Sequence, residues 1–207
     1  MQKKKIFALA VLIFLFFVLF SYFVHKNVFR QFDFNTTVKI QDHVSPQFDY
    51  IFSLLSTFGV FEISLAILLI ILLIKRRIGG VVAFFSFGVL HVIELYGKFF
   101  VNHLPPAEFM LRTEKIVNFP QFYVRSEFSY PSGHAGRTTF LAVFLGLLLW
   151  RSKKLSRTQK VVTLSVLAIY DLTMLISRIY LGEHWATDVI GGALLGGSLS
   201  LLSLVFI

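Results

Sequence analysis

Three residues in the C-terminal part of the chain have types and spacing that could do chemistry together. Arg178, His184 and Asp188 fall within the stretch SRIYLGEHWATD, which lies between two long apolar runs. Charged groups are costly at such a boundary, so their presence indicates a functional site. His184 and Asp188 are four residues apart, so the carboxylate can fix the tautomer of the imidazole and leave its other nitrogen free to attack or bind. Arg178 adds a permanently charged, planar guanidinium group whose N–H donors suit phosphate.

A second group follows Tyr130, where Pro131 and Ser132 are typical of the start of a helix. The free N–H groups and the positive dipole end of a helix N-terminus form an anion site. His134 lies just inside this start, and Arg137 follows three residues later on the same helix face. The simpler alternative is a capped helix start whose His and Arg face the membrane interface by coincidence.

A third group consists of His91, Glu94 and Lys98, which are spaced to share one helix face. The bland interpretation is an internal Glu94–Lys98 ion pair, or a lysine that extends to the membrane interface. Together the three groups supply two histidines, several cations and a helix N-terminus, which favour a tetrahedral oxyanion. No close pair of carboxylates is evident that would hold Mg²⁺. Phosphoryl transfer through a covalent histidine fits these parts.

The elements that must position these groups are apolar. The chain has 207 residues, is 56% hydrophobic and contains no cysteine, which places it in the membrane class and excludes disulfides and thiolate metal sites. We predict an all-α integral membrane protein with a single domain over residues 1–207 and six transmembrane helices of about 20 residues each. The predicted spans are approximately residues 6–24, 50–74, 79–101, 132–150, 161–178 and 185–207.

The charges predict how these spans are oriented. The predicted inner segments hold eleven basic residues and no acid: Lys3, Lys4, Lys5, Lys75, Arg76, Arg77, Arg151, Lys153, Lys154, Arg157 and Lys160. Positively charged loops stay in the cytoplasm, so both termini are expected there, in the cell membrane, and all three polar groups at the extracytoplasmic face. The net charge of +9 therefore reflects topology and contact with membrane lipids, and we expect no nucleic-acid partner.

At this point the motifs resemble a known family. Residues 131–134, PSGH, and the pattern SR, five residues, H, three residues, D over residues 177–188 match two signatures of the type-2 phosphatidic acid phosphatase family. The resemblance implies that His184 is the nucleophile that forms a phosphohistidine, that Asp188 orients it, and that His134 protonates the leaving oxygen and then activates water. The phosphate-binding residues would be Lys98, Ser132, Gly133 and Arg178, with no metal ion and no cofactor.

One position departs from the family pattern, because the first signature is a lysine, six residues, and then Arg-Pro. After Lys98 that spacing reaches Pro105 and Pro106, so the phosphate-binding arginine is missing. Losing such a donor can cost about 3 kcal/mol of transition-state stabilisation. Arg137 is the preferred substitute. Alternatives in the adjacent loop are His103, Arg112 and Arg125.

The predicted function is metal-independent hydrolysis of a lipid phosphate or diphosphate. By family analogy, undecaprenyl diphosphate is favoured over phosphatidic acid and phosphatidylglycerol phosphate. A lipid phosphotransferase is one alternative. A non-catalytic lipid-phosphate binder or transporter is another, for which the acids Glu62, Glu94 and Asp171 inside spans would be the best evidence. The sequence does not fix the oligomeric state.

Overall fold

The computed structural model describes residues 2–75, 80–113 and 128–206 of the chain. The described residues form eight α-helices and contain no β-strand. The helices are α1 (Gln2–His25), α2 (Arg30–His43), α3 (Asp49–Ser56), α4 (Phe61–Lys75), α5 (Gly80–Phe100), α6 (Gly133–Trp150), α7 (Arg157–Tyr180) and α8 (Ala186–Leu204). The predicted all-α class is confirmed.

The centre of the bundle is α8, which packs against α1, α5 and α6. In its apolar window 67% of the residues are buried, compared with 11% in α1 and α7, which therefore lie at the periphery. Many large apolar side chains point outward, including Leu12 and Leu15 of α1 and Leu73 of α4. An apolar exterior around self-satisfied helices is what a lipid environment requires.

Glycine allows α6 and α8 to approach each other closely. A Cβ atom on Gly192 would lie 3.0 Å from the Cβ atom of Ala135. A Cβ atom on Gly196 would lie 3.1 Å from Cα of Gly136 and would overlap its carbonyl oxygen. Small residues at such crossings let helix backbones come together in a membrane. This close contact joins the two helices whose first turns carry His134 and Asp188.

Four described helices are long and apolar enough to cross a membrane by length and composition: α1, α5, α7 and α8. A fifth span results if the segments 46–59 and 61–74, which are bent by 56°, count as one. Helix α6 falls outside this set, because its first turns carry His134 and Arg137. Six crossings remain a prediction.

Two local features were not predicted. The connection after the first predicted span contains a helix, α2, whose buried residues Asp33 and Thr37 face the protein interior. The predicted span over residues 50–74 is interrupted, because Thr57–Gly59 forms a single 3₁₀ turn and Val60 is extended. This interruption leaves the Gly59 carbonyl free for a partner outside its own helix.

Candidate active site

A cavity of ≈ 400 Å³ lies where four parts of the chain meet: the break between α3 and α4, the end of α5, the start of α6 and the loop between α7 and α8. Its apolar wall includes Val60, Phe61, Leu95, Leu111 and Phe128. Five of the eight predicted site residues line it, namely Lys98, Gly133, His134, Arg137 and His184. The other three, Ser132, Arg178 and Asp188, are at most 1% exposed and lie in the protein behind this surface.

The loop from α7 to α8 fixes the position of His184. Helix α7 ends at Tyr180, and Gly182 follows with φ +68°, a left-handed conformation that glycine adopts without strain. The backbone N–H of His184 then donates to the carbonyl of Arg178 at 3.2 Å. Two of the signature residues are thus joined directly by the main chain.

Asp188 lies in the first turn of α8 and contacts His184, as the spacing of four predicts. The distance from His184 Nδ1 to Asp188 Oδ2 is 3.4 Å. The same carboxylate oxygen accepts the N–H of Trp185 at 3.0 Å, which holds it at the helix start. This contact orients the ring so that Nε2 is the nitrogen available to the cavity.

The charge state of His184 suits a nucleophile. Burial lowers the pKa of His184, and the hydrogen bond to Asp188 raises it by less, so that the net shift is downward. Lys98 adds to the lowering. The imidazole is therefore neutral near pH 7, with a lone pair on the ring nitrogen that does not face Asp188.

His134 lies in the first turn of α6, directly against the break between α3 and α4. A Cβ atom on Gly59 would lie 2.6 Å from Cδ2 of His134, so only glycine leaves room for the ring there. The helix start is capped by Ser132, whose Oγ accepts the N–H of Ala135 at 3.5 Å. The backbone N–H of Ser132 donates to the Asp188 carbonyl at 2.9 Å, which ties the starts of α6 and α8 together.

Arg178 is completely buried and only partly paired. Its Nη1 donates to Ser56 Oγ at 2.6 Å and forms an ion pair with Glu183 Oε2 at 2.9 Å. Its Nε and Nη2 have no hydrogen-bond partner among the described residues. Buried guanidinium N–H groups without acceptors are costly, and an incoming oxyanion would satisfy them. Asp171, two turns before Arg178 on α7, accepts a hydrogen bond from Thr139 at 3.0 Å.

Arg137 lines the cavity but is engaged by the protein. Its Nη1 lies 2.5 Å from Glu94 Oε2, and its Nε donates to the Gly59 carbonyl at 2.9 Å. Glu94 is also bonded to His91 at 3.2 Å. The pair expected from spacing, Glu94 with Lys98, is thus replaced by Glu94 with Arg137. Within the described part of the chain, Lys98 forms no ion pair and it lines the cavity.

The other residues considered for the missing arginine are placed differently. Pro105 itself lines the cavity. Arg112 lies over the ring of Tyr180, with 5.2 Å between Cζ and the ring centroid. His103 does not line the cavity and instead contacts Asp188. Arg125 lies outside the described residues, as do Arg76 and Arg77 of the predicted inner loop.

Sequence reasoning missed the partners that surround the predicted residues. His103 donates from Nδ1 to Asp188 Oδ1 at 2.7 Å, and Asp33 of α2 lies on its other side. Glu183 binds Arg178, and Glu94 binds Arg137. The contacts of His103 and of Glu94 join residues far apart in sequence, so no pattern in the chain signals them, whereas Glu183 is five residues from Arg178 and adjacent to His184.

No group of three or more His, Asp or Glu residues within the described ranges is arranged to hold a metal ion. The described side chains at the cavity include a histidine oriented by a carboxylate, a second histidine, and cations. These features define a helical membrane protein with a pocket suited to a phosphate-like oxyanion.

The chain belongs to the PAP2 superfamily, whose family model matches residues 76–207. The family resemblance drawn from the motifs is thereby confirmed, and the chain is a multi-pass membrane protein of this superfamily.

Two curated proteins are similar in sequence. An undecaprenyl-diphosphatase of Sulfolobus acidocaldarius is 32% identical over 151 residues, which are 72% of this chain and 66% of that protein. Phosphatidylglycerophosphatase B of Bacillus subtilis is 22% identical over 190 residues, or 90% of this chain and 88% of that protein. The match therefore spans just under two thirds of the first relative and most of the second.

Two crystal structures share the fold. A transmembrane PAP2-type phosphatidylglycerolphosphate phosphatase from Bacillus subtilis superposes with a TM-score of 0.76, 22% identity and coverage of 94% of both chains. LpxE of Aquifex aeolicus gives a TM-score of 0.63 at 24% identity, over 84% of this chain and 94% of that one. At these identities the two structures establish the fold.

Proposed function

We propose that the protein hydrolyses a lipid phosphate or diphosphate through a phosphohistidine, at the extracytoplasmic face of the cell membrane. The observation that carries this proposal is the His184–Asp188 contact of 3.4 Å at the wall of a cavity that His134 and Lys98 also line. The unsatisfied nitrogen atoms of buried Arg178 add an anion-binding element. The names of the two curated relatives, an undecaprenyl-diphosphatase and a phosphatidylglycerophosphatase, support a lipid phosphate as substrate.

The proposed reaction has two steps. In the first, Nε2 of His184 attacks phosphorus while Asp188 accepts the hydrogen bond from Nδ1–H. The bond from phosphorus to the leaving oxygen breaks, and His134 gives that oxygen a proton. In the second, His134 takes a proton from water, the water oxygen bonds to phosphorus, and the P–N bond breaks to release phosphate and restore His184. Lys98, Arg178 and the helix start at Ser132 and Gly133 stabilise the charge on the phosphoryl oxygens.

Arg137 is proposed to replace part of the charge lost at Pro105. It lines the same cavity, and its guanidinium is already fixed by Glu94 and the Gly59 carbonyl. Because this guanidinium is already held in place, it loses little further conformational entropy when a phosphate binds. Because Glu94 neutralises part of its charge, we expect Arg137 to contribute less than a free arginine at position 105 would.

The extracytoplasmic location is supported by the ends of the helices. His25 Nδ1, at the end of α1, accepts the N–H of Asn102 after α5 at 3.1 Å, so the end of α1 lies near the cavity. The lysines at the start of α1 therefore lie toward the opposite end of the bundle. Helix α6 likewise starts at the cavity and ends at Trp150, and the basic loop follows from Arg151. Basic residues favour the cytoplasmic side, which supports a position of the cavity at the outer face.

The proposal predicts phosphate release without added metal. Purified protein would be assayed with undecaprenyl diphosphate, phosphatidic acid and phosphatidylglycerol phosphate, with and without chelator. His184→Ala is expected to abolish release, and vanadate to inhibit by mimicking the five-coordinate phosphoryl group. Full activity of His184→Ala would overturn the mechanism. Labelled phosphate that appears on a second lipid in place of free phosphate would identify a transferase.

A further inference from the structure

A buried histidine at a variable position of the first family signature links the Asp188 carboxylate to the N-terminal half of the chain. His103 follows α5 by three residues and is 6% exposed. Its Nδ1 lies 2.7 Å from Asp188 Oδ1, and its Nε2 lies 3.4 Å from Asp33 Oδ2. Both ring nitrogens therefore face carboxylates, an arrangement that favours the doubly protonated imidazolium.

Asp33 is itself fixed by the first turn of α8. The backbone N–H of Thr187 donates to Asp33 Oδ1 at 2.8 Å, and the Thr187 hydroxyl donates to Oδ2 at 2.7 Å. Asp33 is 1% exposed, although most of α2 is polar and accessible. A helix N-terminus stabilises a carboxylate in this position. The placement of α2 therefore brings the Asp33 carboxylate into contact with Thr187, the residue that precedes Asp188.

Asp188 has two carboxylate oxygens with separate partners. Oδ2 accepts from Trp185 N–H and faces His184, whereas Oδ1 is bonded to His103. Without His103, Oδ1 would be a buried acceptor with a lost partner, and the carboxylate could rotate away from His184. The orientation of Asp188, and through it that of the nucleophile, depends on a residue that touches neither the cavity nor a substrate within it.

We propose that His103 and Asp33 are positioning residues of the catalytic centre, joined in a buried chain Asp33–His103–Asp188–His184. The inference rests on the proposed function, because it concerns how His184 is prepared to attack phosphorus. His103 holds Asp188 in the rotamer that faces His184. The negative charge of Asp188 favours protonation of His184, and the positive charge of His103 partly cancels this effect. The nucleophile therefore stays neutral to a lower pH than it would beside Asp188 without His103.

The charges around this chain support that role. Burial lowers the pKa of His103, but the hydrogen bonds to Asp188 and Asp33 outweigh burial and raise the pKa to about 9. The group Asp33, His103 and Asp188 then carries one net negative charge near neutral pH. His184 also faces Lys98 of α5 and the neighbouring Glu183, and His134 and Arg178 lie close by. Among these groups, His103 is the one bonded to Asp188 Oδ1, the carboxylate oxygen that does not face His184.

The test compares His103→Gln and Asp33→Asn in the purified full-length protein, measuring phosphate release from an accepted lipid phosphate as a function of pH. Thr139→Val is the matched control, since it removes a partly buried hydrogen bond to another carboxylate, 3.0 Å from Thr139 Oγ1 to Asp171 Oδ2, outside the cavity lining. The acid limb of kcat/KM reports the pKa of the free enzyme's base, here His184.

His103→Gln removes a cation beside Asp188, so the acid limb should move to higher pH by about one unit, and kcat should fall about tenfold. Asp33→Asn removes an anion, so the limb should stay in place or move to lower pH. Thr139→Val should leave the limb where it is. A merely structural role would not shift the two limbs differently.

An unmoved acid limb in His103→Gln, or the same upward shift in both variants, would overturn the inference. If His103→Gln does not fold, Asp33→Asn carries the test, and an upward shift there overturns the inference. Failure of the proposed function is distinguishable from these results, because then the wild-type protein itself would release no phosphate or His184→Ala would remain active.

Discussion

Glu183 Oε2 lies 2.9 Å from Nη1 of the buried Arg178, while Thr113 donates to the other oxygen of Glu183 at 2.6 Å. Burial raises the pKa of Glu183, but Arg178 and Thr113 lower it further, so the net shift is downward and the carboxylate is charged near neutral pH. Glu183 therefore occupies one side of the arginine that the proposed function assigns to the phosphoryl oxygens. A phosphate that enters must compete with this carboxylate or bind the nitrogen atoms it leaves free.

Glu183→Gln is expected to strengthen inhibition by vanadate about three- to tenfold, because it removes an anion beside the proposed oxyanion site. The measurement is the inhibition constant at fixed pH and ionic strength. Glu108→Gln is the control, since Glu108 is an exposed acid outside the cavity lining. Weaker inhibition in Glu183→Gln would mean that the carboxylate holds Arg178 in place more than it competes with phosphate.

Arg137→Ala separates the ion pair from the proposed contact with phosphate. Removing one partner of a buried pair costs roughly 3 kcal/mol, because the other charge remains buried. The variant should therefore lose both thermal stability and kcat/KM. Adding Glu94→Gln removes the unpaired charge, so stability should largely return while kcat/KM stays low. A double variant with wild-type kcat/KM would exclude Arg137 as the substitute for the missing arginine.

Gly133→Ala tests the tight contact at the start of α6. A Cβ atom on Gly133 would overlap the carboxylate of Glu94 and lie 2.6 Å from Arg137 Nη1. We expect kcat/KM to fall about a hundredfold, since small displacements of catalytic groups have effects of that size. Gly88→Ala is the matched control, because a Cβ atom there meets nothing within 4 Å. Equal activity of both variants would show that Glu94 and Arg137 move aside without consequence.

His103 predicts how stability depends on pH. Its pKa is about 9 in the folded protein and 6.5 without interactions, so folding raises it. Its contribution to stability is complete below pH 6.5 and is lost as the pH rises through about 9. The apparent melting temperature in detergent should therefore decline over this interval in the wild type and less in His103→Gln. Parallel curves for the two proteins would contradict a charged His103 in the folded state.

Part of the site could be predicted because it depends on spacing within one segment. A separation of four residues brings His184 and Asp188 together on any helix start, and the Ser132 cap follows from the residue types around it. The apolar runs likewise predicted where helices would form, with bounds that differ from the observed ones by a few residues. The break at residues 57–60 escaped prediction, because it depends on what Gly59 contacts, namely the ring of His134 and the side chain of Arg137.

The sequence alone determined the class of the protein and the missing arginine at Pro105, and it predicted His184 as the nucleophile. Only the tertiary structure decided the partner of each charge: Glu94 pairs with Arg137 instead of Lys98, Glu183 with Arg178, and His103 with both Asp33 and Asp188. The physical reason is that local spacing fixes contacts within one helix, whereas a buried charge takes whichever opposite charge the packing of helices brings to it. For Asp33 and Thr187 the partners are 154 residues apart, a separation at which no periodicity in the chain carries information.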